Sequence, residues 1–157
     1  MGIVALMDRI TELVTATVPR QRPNDSFHAI DDHGNGVRLE AVAPRTDRCF
    51  DVGTIALPVD DGEAGAQDCG TLRVRAVLAL RIGYRLDDGQ DRRLLDGLVA
   101  EDVRRILTSL LKPAAWDAST TGIISIVPPE QAPTTELLDG GGLIVSLPLT
   151  VLYREEA

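Results

Sequence analysis

Apolar side chains at Ile3, Leu6, Met7, Ile10, Leu13, Val14 and Val18 recur at spacings of three and four. That stripe predicts an amphipathic helix over residues 2–18, stopped by Pro19 and Pro23. Ser26–Ile30 reads as a brief strand, closed by the turn residues Asp31-Asp32-His33-Gly34-Asn35-Gly36. Val37, Leu39 and Ala41 alternate with Arg38 and Glu40, which predicts a second strand. The pattern weakens from Pro44 to Gly70. Cys49–Val52 and Thr54–Leu57 suggest two short strands inside a loop-rich insertion over 44–70.

The clearest strand pattern follows. Leu72, Val74, Ala76, Leu78, Leu80, Ile82 and Tyr84 define one face, with Arg73, Arg75, Val77, Ala79, Arg81, Gly83 and Arg85 on the other. A strand of that extent, roughly 40 Å at about 3.3 Å per residue, outruns the usual strand. Next, Leu94, Leu95, Leu98, Val99, Val103, Ile106, Leu107, Leu110 and Leu111 trace a long helical stripe, with Asp87, Asp88 and Asp91 as capping candidates. Arg92, Arg93, Asp96, Glu101, Arg104 and Arg105 occupy its polar face. A short strand at Gly122–Val127 and a turn at Leu138–Gly142 lead to a second long alternating strand, Leu143–Arg154. Pro148 inside it argues for an edge position or a bulge, because proline donates nothing to a ladder. The expected fold is α+β: a mostly antiparallel sheet with two long strands, one long amphipathic helix packed on it, and an N-terminal helix. The chain reads as a single domain over residues 1–157.

Charge narrows the functional classes. Lys+Arg 16 against Asp+Glu 24 gives a net charge of −8, which argues against a broad phosphate grip. No stretch approaches the ~20 apolar residues of a membrane span, and Asp8, Arg9 and Glu12 do not suit a signal peptide. A soluble, intracellularly made protein is the expectation. The two cysteines, Cys49 and Cys69, do not make a disulfide framework.

Candidate chemistry is sparse. His28, Asp31, Asp32 and His33, with Cys49 downstream, are metal-capable types in a strand-and-turn setting without zinc-site spacing, so a solvated turn is expected. Gly140-Gly141-Gly142 precedes a strand and reads as a turn. No catalytic residue, metal or cofactor is predicted. The arginines Arg73, Arg75, Arg81 and Arg85 on the long strand, with Arg104 and Arg105 on the helix, are candidates for a subunit interface.

Leu72–Arg85, Leu94–Leu111 and Leu143–Arg154, in the order helix, short strands, weak loop, long strand, long helix, short strand, long strand, give a layout with a likeness. It resembles the tail terminator (tail completion) proteins of long-tailed bacteriophages and phage-like particles. The resemblance is one of pattern and covers about half the chain. It implies a virion structural protein, assembled in the host cytoplasm, that forms a homohexameric ring. Such a ring caps the tail tube, ends its polymerisation and meets the head connector or stopper, so its partners are itself, the tube protein and the connector. DNA would pass through the lumen without specific binding. The acidic residues Asp60, Asp61, Glu63 and Asp68 are then candidates for a loop facing lumen or tube. Another neck ring of the head-completion or stopper type is the near alternative. A small-ligand-binding α+β domain is the distant one, disfavoured because the inner face of the long helix is almost wholly Leu, Ile and Val.

Overall fold

The computed structural model describes residues 3–19, 26–30, 38–60, 71–87, 91–112, 116, 123–127 and 132–156. In chain order the elements are α1 (Ile3–Ala16), β1 (His28–Ala29), α2 (Leu39–Val42), β2 (Cys49–Asp60), β3 (Thr71–Arg85), α3 (Arg92–Leu110), β4 (Ile123–Val127), β5 (Thr134–Leu138) and β6 (Gly142–Glu156). The fold is α+β, and all six described strands join one sheet of order β1-β2-β3-β6-β4, with β5 also on β6. Only the β1–β2 pairing is parallel.

The sheet is built around β3 and β6, which pair antiparallel over their whole length, from Thr71↔Glu156 to Arg85↔Gly142. Alternation sends Val74, Ala76, Leu78, Leu80, Ile82 and Tyr84 of β3 to one face, together with Leu143, Val145, Leu147, Leu149, Val151 and Tyr153 of β6. Helices α1 and α3 cover that face. α1 contributes Leu6, Ile10 and Val14, and α3 contributes Leu95, Leu98, Val103, Ile106 and Leu110. At about 25 cal/mol per Å² of apolar surface removed from water, this continuous layer is the main source of stability.

The helix ends follow local chemistry. Asp91 caps α3 by accepting a hydrogen bond from the Arg93 amide at 2.9 Å. The Trp116 indole donates to the Leu110 carbonyl at 2.7 Å, satisfying one of the orphan groups at the other end. Thr17, just past α1, donates to the Leu13 carbonyl and lies 3.1 Å from the Ser109 hydroxyl, tying the two helices together.

Four expectations are corrected. The alternation through Leu39 and Ala41 belongs to the single-turn helix α2, not a strand. Leu39 and Ala43, four apart on one helical face, pack with Cys49 and Ile144 on the far face of the sheet. The 44–70 stretch is not loop throughout: Cys49–Asp60 is one long strand, and its register shifts at Thr54/Ala56 and Ala56/Val59 break the alternation that would have announced it. β5, whose residues are mostly exposed, carries too little periodicity to be read at all. Leu94, placed in the core stripe of the long helix, is 71% exposed.

Pro148 is neither on an edge nor at a bulge. It pairs with Ala79 inside β6, and on its other side the ladder is interrupted, because β5 stops at Ser146 and β4 begins at Thr150. A proline, which donates nothing to a ladder, is thus accommodated where the described strands on that side leave an interval.

Candidate functional site

Two ion clusters organise the molecule, one inside and one outside. The inner cluster joins three elements. Arg48, wholly buried, donates from Nε to Asp102 Oδ2 at 2.8 Å and from Nη2 to Oδ1 at 3.3 Å. Tyr84 donates its hydroxyl to the same Oδ2 at 2.9 Å, and Arg48 lies 5.9 Å from the centroid of the Phe27 ring. Burial, and then the Asp102 carboxylate, push the Tyr84 phenol well above its ordinary range. Arg48 holds a left-handed backbone, φ 57°, which is uncommon for a residue with a side chain. From there its carbonyl accepts from the His28 amide at 2.9 Å, so one residue anchors β1 by its backbone and α3 by its side chain.

Neither ionic residue stood out in the sequence. Asp102 did leave a trace: it lies four residues from both Leu98 and Ile106, so it is the acid within the apolar stripe. Arg48 left none, because it precedes β2 in a stretch without periodicity.

The outer cluster is on the opposite face of the sheet. Arg81 donates to Asp51 from Nε at 3.0 Å and from Nη2 at 2.6 Å, and from Nη1 to Glu40 at 2.8 Å. Those carboxylates, Asp51 first, raise the Arg81 pKa, while a backbone amide hydrogen bond and then Arg81 hold Glu40 below the usual carboxylate range. Beside this cluster lies a groove of about 590 Å³ lined by Met7, Asp8 and Thr11 of α1, by Val52–Thr54 of β2, and by Arg81. Parallel pairing from β1 covers β2 only at Cys49 and Phe50. From Val52 onward its outer edge has no strand partner among the described residues.

The predicted interface arginines fall into two separate groups. Arg75 and Arg85, both exposed, lie with Arg81 on the sheet face away from α1 and α3, and Arg85 is 3.3 Å from Asp87. Arg104 and Arg105 are on α3, each paired with Glu101, and Arg105 also donates to the Val18 carbonyl at 3.2 Å. With Lys112 they border a second cleft of about 560 Å³ at the C-terminal ends of α1 and α3. The backbone of Arg73 is in β3 and that of Asp60 ends β2, but their side chains lie outside the described residues. Asp61, Glu63 and Asp68 lie outside them altogether, as do Asp31, Asp32 and His33. His28 is exposed on β1, and among the described residues no group of three or more His, Cys, Asp and Glu side chains could hold a metal ion.

Cys49 is buried, with its thiol pushed up to about 11, chiefly by desolvation. Its Sγ contacts the Gly83 carbonyl at 3.8 Å. A thiol so placed is a packing group rather than a nucleophile. Gly83 itself is required by the approach of α2: a Cβ there would come within 2.7 Å of both Ala43 Cβ and Cys49 Sγ.

No helix among the described residues is long and apolar enough to cross a membrane. No protein-family model matches the chain, and no curated protein aligns with it significantly.

Proposed function

We propose that this chain is a ring-forming structural subunit of the tail-terminator type, which caps a phage or phage-like tail tube, ends its polymerisation and joins it to the head connector. One observation carries the reading: among the described residues, the sheet is covered by helices on one face and only in part on the other. Two fifteen-residue strands form its centre and two helices seal one face, while α2 covers only one end of the other face. Val77, Ala79, Pro148, Thr150 and Leu152 remain half-buried on that far face. Long ladders and apolar strips left open in this way are normally covered by neighbours.

The element order supports the same reading, since α1, β3, α3 and β6 reproduce the layout on which the resemblance rests. In such a ring the acidic stretch of Asp60, Asp61, Glu63 and Asp68 would line lumen or tube and repel passing phosphates. The role is mechanical, and the subunit makes or breaks no covalent bond. A different neck ring would share these features and differ only in whether tubes recruit it.

The test is solution mass by light scattering at high and low concentration, with and without purified tail tubes. The expected outcome is a hexamer, or a monomer that becomes hexameric on tubes and blocks their further growth. A strict monomer indifferent to tubes overturns the proposal and directs attention to small ligands in the groove beside Arg81.

A further inference from the structure

We infer that the neighbour in this assembly is a second copy bound edge to edge, with β4 of one subunit added to the edge of β2 that no described strand of its own chain covers. The inference rests on the ring reading and names the surfaces that build it.

The topology supplies the first argument. Each step β2→β3→β6→β4 is antiparallel, so β4 runs opposite to β2. A second copy in the same orientation, set beside the first, therefore brings β4 against β2 antiparallel and continues the sheet without changing its hydrogen-bond pattern. A sheet whose two edge strands ran the same way could not do this.

Register supplies the second argument. Ala56, Val77, Thr150 and Val127 form one row across β2, β3, β6 and β4. The uncovered part of β2 and the whole of β4 thus occupy the same half of the sheet. The other half is already closed on the β2 side by β1, level with the region where β5 pairs with β6. Within one copy β4 lies level with Ala56–Asp60, so an incoming copy shifts by roughly three to four residues along the strands to seat β4 on the stretch of β2 that no described strand covers.

The third argument is the fit of the receiving edge. The groove against Val52–Thr54 has α1 as one wall and Arg81 as the other, leaving room for an added backbone beside β2. Pro58 removes one donor further along, so the receiving stretch is the run from Val52 to Leu57, commensurate with the five residues of β4. Because the two edges differ, the contact is heterologous: every copy both gives and receives, which produces closed rings when the rotation between copies closes.

The inference is tested by disulfide trapping in the full chain carrying Cys69→Ser. Thr54→Cys is combined in turn with Ser125→Cys, Ile126→Cys and Val127→Cys, and each variant is first checked for the parent's melting curve. At least one combination should give a reducible ladder up to the full ring. A mixture of the two corresponding single variants should stop at dimers. Self-linked Thr54→Cys dimers would overturn the inference in favour of a twofold contact. An oligomer of unchanged mass with no linkage in any combination would overturn the edge pairing and leave the ring standing. A chain that stays monomeric with and without tubes, and never cross-links, removes the ring reading and this inference with it.

Discussion

Asp102 interrupts an apolar helical stripe with a carboxylate that has no access to water. A buried charge of this kind is tolerable only while its partners are in place, here the Arg48 fork and the Tyr84 hydroxyl. Asp102→Ala should therefore destabilise the fold by about 3–5 kcal/mol, since it removes the buried carboxylate that both Arg48 and Tyr84 bond. The paired change Arg48→Met with Asp102→Leu should recover most of that loss. Urea unfolding of the two variants decides it, and a paired variant that loses more than Asp102→Ala, by the amount Arg48→Met costs alone, would show that the two residues act independently. At this scale the sequence was legible wherever periodicity governs, as with the alternating core of β3. It was not legible where a single polar group replaces an apolar one, because pattern fixes a position on a face and not the partner that satisfies it. The outer arginines illustrate the same limit. Arg81, a candidate interface residue by its place on the strand, is held by Asp51, its neighbour across the ladder, and by Glu40 of α2.

Among the elements, strength of pattern tracked length. α1, α3, β3 and β6 each carry several turns or alternations of apolar residues and were readable, with ends displaced by a few residues. α2, β1 and β5 are too short for either period to assert itself. β2 was long enough but is bulged, and each bulge resets the face on which the next side chain falls. β6 shows how a strand interior can hold a proline: on the side away from β3, no described strand pairs with β6 between Ser146 and Thr150. Pro148→Ala should accordingly change stability by less than about 1 kcal/mol. Leu147→Pro, one position away, replaces a wholly buried core side chain in the middle of the strand and should cost about 3 kcal/mol or more. Thermal melting of the two variants measures the contrast, and similar melting temperatures would refute this account of the gap.

For the molecule as a whole, nearly everything depends on one long-range pairing. β6 is the shared partner of β3, β4 and β5, and its residues supply half of the sheet's buried face. A chain ending at Leu138 keeps five of the six described strands yet leaves β3 with β2 alone and β4 and β5 with nothing to pair against. It should show no cooperative melting transition by circular dichroism, whereas a cooperative transition would show that the remaining elements form a core of their own. The pairing of Thr71 with Glu156 joins residues far apart in sequence, and non-local pairings of this kind slow folding relative to helical bundles. During translation, then, α1, β2, β3 and α3 leave the ribosome well before the strand that organises them. A nascent chain therefore has no finished sheet until synthesis has passed β6, and in the proposed ring the pairing of one copy with the next would have to wait until then.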